Sequence, residues 1–219
     1  FIDHVQGDPY AAPSRLRARI DRKASGFTPD MTANRSRTIA LADFLMRRFH
    51  EACKKIARGN RGSGKSGIIT IDRPVQEILE RSAMKIDEKM VEARFFMGLP
   101  AAGRRIAGLE ARAMLFEELP RIVRAALFME RLDRDQIYRH IEVAEDADWL
   151  RNRLEGLELV GFVANDALLP RASGIDSRPL TPSRAVRFGS PQRLQIDIHL
   201  PNQGATSGMG IAKGVPLIV

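Results

Sequence analysis

Gly59-Asn60-Arg61-Gly62-Ser63-Gly64-Lys65-Ser66-Gly67 poses the first choice about this chain, because Gly59, Gly64, Lys65 and Ser66 fill the pattern GxxxxGK[ST] of a phosphate-binding loop. Such a loop works when a buried strand leads in and a helix leads out, so that loop amides and the positive helix end converge on the phosphates. Here the order is reversed. Before the loop, residues 38–58 repeat their apolar positions at helical spacing, with Leu41, Leu45, Phe49, Ala52 or Cys53, and Ile56 on one stripe. After it, Gly67-Ile68-Ile69-Thr70-Ile71-Asp72 is a short β-branched run stopped by Pro74, which reads as a strand. The negative end of the helix then faces the loop. The stretch predicts a helix–loop–strand unit and not a nucleotide cradle. What remains is a basic, glycine-rich loop carrying Arg58, Arg61, Lys65 and Ser66, either a polyanion contact or a plain solvated loop.

The charge around this loop is segregated. Formal net charge is +8, and residues 13–65 hold fourteen Lys or Arg against four carboxylates (Asp21, Asp30, Asp43 and Glu51), a local excess of ten. Solubility does not need such segregation; an anionic partner, nucleic acid foremost, accounts for it. Arg15, Arg17 and Arg19 alternate with Leu16, Ala18 and Ile20, so they share one face of a half-buried strand. Three guanidiniums in a row repel unless an anion lies across them; the bland alternative is an edge strand guarded by charge. On the 38–58 helix the polar side carries Arg47, Arg48, Glu51, Lys54, Lys55 and Arg58, either a solvated face or a continuation of the basic surface. Residues 98–105 run from a strand at 91–98 into a helix at 106–129 that Pro120 interrupts. Their amides with Arg104 and Arg105 make an anion pocket, or else a capping turn with solvated arginines.

Composition bounds the remaining classes. Hydrophobic residues make up 44%, the figure of a globular chain, and no apolar run approaches the ~18 residues of a membrane span. The first residues, from Phe1, show no targeting segment, and the chain reads as starting inside a longer protein. The single cysteine, Cys53, excludes an internal disulfide and fits a reducing, cytoplasmic setting; on an apolar helix stripe it reads as a small buried hydrophobe. His4, His50, His140 and His199 are scattered without metal spacing. In the helical stretch 134–156, Glu142, Glu145, Asp146 and Asp148 read as ion-pair partners of Arg151 and Arg153, and Trp149 and Leu150 as core. Further strands are expected at 1–5, 83–87 and 159–164. A Ser-, Pro- and Gly-rich boundary at 174–182 precedes strand-like runs at 185–188, 194–200 and 215–219, with 201–211 as a loop. The whole is an α+β chain: a mixed sheet with packed helices over residues 1–172, then short strands of a second domain over 173–219.

Five strings carry a resemblance: VQGDPYAAPSR (5–15), GSGKSG (62–67), GLPAAGR (98–104), LLPRASG (168–174) and GMGIAKGVPLIV (208–219). Together, and in this order, they resemble the predicted ATPases of the ABC class, a soluble family distinct from the membrane transporters. The resemblance implies that residues 1–172 are most of an N-terminal accessory domain and that the rest opens the ATPase core, stopping before the family's nucleotide-binding P-loop. It implies ATP and Mg²⁺ as cofactors of the parent protein, none for this stretch alone, no catalytic residue here, and a homodimer formed through the ATPase core. For Phe188, an aromatic upstream of that P-loop, it implies either adenine stacking or ordinary core packing. Some relatives are associated with RNA, which agrees with the basic segment. Ala212 stands where the family has proline. Two functions follow: an accessory domain binding RNA through its basic surface, or a dimerisation and regulatory domain without nucleic acid.

Overall fold

The computed structural model describes residues 1–103 and 105–214, so Arg104 and the strand expected at 215–219 lie outside the described residues. The fold is α+β and divides into two compact units, Phe1–His140 and Ile141–Val219.

In the first unit, β1 (Ile2–His4), β2 (Ser14–Asp21), β3 (Ile69–Thr70), β4 (Met84–Ile86) and β5 (Met90–Met97) form one sheet. Its order is β1-β2-β5-β3, with β4 pairing on β5 as well. Every described pairing is antiparallel, where a mixed sheet was expected. Alternation sets the two faces. β2 buries Ser14 and Leu16 while Arg15 and Arg19 stay exposed; β5 buries Val91, Ala93, Phe95 and Met97 on the same inner side.

Asp21 caps the short α1 (Arg22–Ser25), accepting from the amides of Lys23 and Ala24. The long α2 (Arg35–Ile56) starts where Asn34 Oδ1 accepts from the Arg37 amide at 2.9 Å, satisfying an otherwise orphaned donor. Its expected stripe is buried through Leu41, Leu45, Phe49, Ala52 and Cys53, and the buried face extends to Ala40, Phe44, Met46 and Asp43. α2 covers the inner face of the sheet, where the rings of Phe49 and Phe95 lie 5.3 Å apart. Burying one such ring stabilises the fold by about 1.5–3 kcal/mol. Burial also pushes the Cys53 thiol up to about 12, as suits a packing residue.

The chain then makes the hairpin β6 (Ala101–Ala102) and β7 (Arg105–Ile106), followed by α3 (Gly108–Ala113), a π-turn at Met114–Glu118 and α4 (Leu119–Leu127). Pro120 does not interrupt this helical run. With no N–H of its own to give, it sits just after a widened turn in which the Leu119 amide reaches back to Met114 O. α5 (Arg134–Arg153) begins in the first unit and ends in the second.

The second unit holds β8 (Leu159–Ala164), β9 (Gln195–Leu200) and β10 (Gly204–Ala212), antiparallel in the order β8-β10-β9. β10 occupies the stretch read as a loop. Its glycines, poor strand formers in isolation, allow close packing: a Cβ on Gly208 would lie 2.4 Å from Val163 O. β8 pairs with β10, so residues 159–164 share a sheet with the later strands. Residues 185–188 form no strand; the Phe188 amide donates to Ala167 O and its carbonyl accepts from the Asp166 amide. Asp146, read as an ion-pair partner, instead accepts from the amides of Asn202 and Gln203 at 2.9 and 3.0 Å, pinning the β9–β10 turn. Asp148 and Arg151 pair at 3.2 Å as expected, whereas Arg153 lies over the Trp149 ring. Among the described residues no helix is long and apolar enough to cross a membrane.

Candidate nucleic-acid interface

Three stretches far apart in sequence, 6–14, 61–68 and 98–103, tie into one knot. The Lys65 amide donates to Pro9 O, Ser63 to Ala101 O and Gly67 to Gly98 O, at 2.8, 2.9 and 2.7 Å. The Leu99 amide donates to Gln6 Oε1 at 2.9 Å, and the Gln6 amide to Ser14 Oγ at 2.9 Å. Gly62 and Gly67 sit at φ of 146° and 86°, and a Cβ on either would lie 2.1 Å from a backbone oxygen (Ala101 O and Gly59 O). The glycine spacing thus serves backbone packing.

This geometry answers the phosphate question for the loop. The Arg61 amide donates to Ser66 O, Gly62 to Asn60 Oδ1 and Ser66 to Ser63 O, so together with Ser63, Lys65 and Gly67 most loop amides are already engaged. A nucleotide cradle needs those donors free. Ser66 is buried, its hydroxyl accepting from the Ala101 amide at 3.1 Å and donating to Ala101 O. The loop does not fit ATP–Mg²⁺. The second expected anion pocket meets the same obstacle: the amides of Gly98, Leu99, Ala101, Gly103 and Ala107 all have acceptors, and β6–β7 intervenes before α3. Arg104 lies outside the described residues, while Arg105 is exposed on β7.

Arg61 is built into the scaffold and does not face solvent. Its side chain is 6% exposed, pairs with Glu118, which the π-turn places, and reaches Glu110 Oε2 at 3.1 Å. Arg58, 63% exposed, approaches the same Glu118 at 3.6 Å. Lys65 is exposed on the knot, with no carboxylate in ion-pair reach among the described residues.

The outward face of the sheet brings the β2 arginines together with β5. Register places Arg15 opposite Phe96, Arg17 opposite Arg94, and Arg19 opposite Glu92. Glu92, whose side chain is 1% exposed, is an anion for Arg17 and Arg19 but not for Arg15. It accepts from Arg19 Nε and from Arg94 Nε (2.8 Å) and lies 3.7 Å from Arg17 Nη1; Arg17 also pairs with Asp3 at 2.6 Å. Burial alone would push the Glu92 carboxyl up, but the hydrogen bonds and charges of Arg19 and Arg94 outweigh it and hold it below the ordinary glutamate value. Beside this row opens a cleft of about 540 Å³ lined by Arg15, Arg17, Ser82, Arg94 and Phe96, with Asp3 and Asp72 among its walls.

The basic residues of α2 do not join that face, because α2 covers the opposite side of the sheet. Arg47 is bound to Asp43 at 2.6 Å, and Arg48 to Glu51 at 3.1 Å over the Phe44 ring. Lys54 and Lys55 stay exposed in its last turn. Asp43 and Glu92 are the residues sequence reasoning passed over. Asp43, fully buried, accepts from Arg47, Arg81 (3.1 Å) and His140 (3.2 Å); burial would raise its carboxyl, and His140 and Arg47 bring it below the usual range. Its signal was a lone carboxylate among Leu41, Phe44, Leu45 and Met46. Phe188 is half-buried in the second unit. Among the described residues no group of three His, Cys, Asp or Glu could hold a metal ion.

Two family models match this chain. Residues 1–130 match the one described as ATPase of the ABC class N-terminal, and residues 133–219 match an ABC ATPase P-loop domain. The GxxxxGK[ST] string at 59–66 lies in the first match, and no such string occurs in residues 133–219. No curated protein matches the chain.

Proposed function

We propose, for a chain that belongs to the ATPases of the ABC class, that its first unit is an accessory domain binding nucleic-acid phosphates, RNA foremost, through the outward face of the sheet. The carrying observation is the set of three guanidiniums on two adjacent strands, Arg17, Arg19 and Arg94, held around one buried carboxylate, Glu92. Arg15, Lys65 and Arg105 add exposed cations, and Arg58, Lys54 and Lys55 form a second basic set at the end of α2. ATP and Mg²⁺ belong, in this reading, to the ATPase core of a cytoplasmic homodimer, and not to the 59–67 loop. Arg61, Ser66 and Arg47 serve the fold.

The test is RNA affinity along a salt series. About five phosphate contacts on a single strand lose roughly a hundredfold in affinity between 50 and 200 mM salt. A flat profile, or no binding by about 10⁻⁵ M, overturns the proposal.

One observation favours a second reading, dimerisation or regulation without nucleic acid. Ile106, Leu109 and Phe116 are 80%, 82% and 74% exposed, and the last two stand seven residues apart on one helical face. Light scattering of the full-length protein separates the readings: Leu109→Asp that abolishes a dimer while RNA affinity stays nil supports the second.

A further inference from the structure

We infer that the β2–β5 face is a track for single-stranded nucleic acid, in which Arg15 and Arg94 take phosphates and Phe96 offers its ring to a base. This rests on the phosphate-binding reading above and adds the class of strand. The sheet supplies a lattice. One row across three strands reads Arg15, Phe96, Thr70; the next holds Arg17 and Arg94; the third reads Arg19, Glu92, Lys85. Rows two residues apart stand about 6.6–6.8 Å from one another. An aromatic ring therefore lies directly beside a guanidinium and one row from the next.

The guanidiniums are set for this task by how they are held. Glu92 takes Arg19 and Arg94 through Nε only, and among the described residues their terminal nitrogens make no other hydrogen bond. The end of the Arg94 fork stays open to a phosphate, which a guanidinium grips in bidentate fashion, whereas the Arg19 guanidinium lies over the Phe1 ring at 4.6 Å. Phe96 is half-buried in the wall of the 540 Å³ cleft, so part of its surface stays accessible there. A duplex hides its base faces within the stack, whereas a single strand presents them, and ring stacking tolerates any base. The concave cleft with one ring and flanking arginines thus suits splayed nucleotides and not the convex wall of a duplex.

The experiment measures anisotropy of labelled oligouridylate, oligodeoxythymidylate and an RNA duplex of equal length with the whole chain, at low salt and along a salt series. Both single strands are expected to bind at least tenfold more tightly than the duplex. Phe96→Leu should weaken single-strand binding about tenfold with an unchanged salt slope, since no charge is removed, and Phe96→Tyr should restore it. Arg15→Ala should instead lower the slope by about 0.7. Equal affinity for the duplex, or a folded Phe96→Leu that binds like the parent, overturns the track while phosphate binding stands. The strand ratio is read on the unsubstituted chain, so a misfolded variant leaves it decisive. Failure of every oligonucleotide to bind overturns the underlying reading as well.

Discussion

Arg61 and Glu118, fifty-seven residues apart in sequence, form an ion pair with side chains only 6% and 3% exposed. The arginine of an apparent phosphate loop is thereby an internal strut, and the π-turn before Pro120 exists where its partner is needed. Removing Arg61 alone strands a buried carboxylate. Arg61→Ala is expected to cost about 3–5 kcal/mol, and the double replacement Arg61→Met with Glu118→Leu to recover much of it. Urea unfolding of the three proteins checks this; a single variant as stable as the parent would show that the pair holds nothing together.

Acid should unfold the first unit through two carboxylates. Asp43 and Glu92 both have folded values below their ordinary ones, so each contributes stability that is fully present above the unfolded value, about pH 4, and is lost as pH falls through the folded value. Asp43→Asn and Glu92→Gln should each lower stability near pH 7 by about 1.5–3 kcal/mol and flatten the fall below pH 5. Melting temperatures from pH 7 to pH 3 read the slope. Parallel curves for variant and parent would contradict it.

Within the knot, neighbouring residues should behave oppositely. Gly67→Ala forces a side chain into a left-handed backbone and against Gly59 O, at a cost of more than about 2 kcal/mol. Lys65→Ala, on an exposed side chain, should leave stability within about 0.5 kcal/mol and remove one cation from polyanion binding. Nucleotide binding by this chain that vanishes in Lys65→Ala is the outcome that would restore the loop as an ATP site.

In the second unit, Gly208→Val should disrupt the β8–β10 ladder, because even a Cβ comes within 2.5 Å of the Phe162 ring. Hydrogen exchange at the amides of residues 159–164 is expected to accelerate at least tenfold. Unchanged protection there would mean that the strands can separate without cost.

Local pattern made much of this legible. Alternation of Arg15, Arg17 and Arg19 marked β2 and its outward face, and the apolar spacing of Leu41, Leu45 and Phe49 marked α2 and its buried stripe. The helix–loop–strand order around residues 59–67 tells against a nucleotide cradle from local pattern alone. β10 was missed because its glycines have no intrinsic strand preference; they suit a central strand only once close neighbours on both sides are known.

By itself, then, the sequence determined which residues alternate, which repeat at helical spacing and where positive charge accumulates, since those properties depend on neighbours a few positions away. Only the tertiary structure decided which of the cations remain open. Arg61 is paired with Glu118, Arg47 with Asp43, and Arg19 shares Glu92 with Arg94, each through partners set by strand register or helix packing. Neutralisation falls off within ångströms of space, and no count along the chain can tell which distant carboxylate will arrive there.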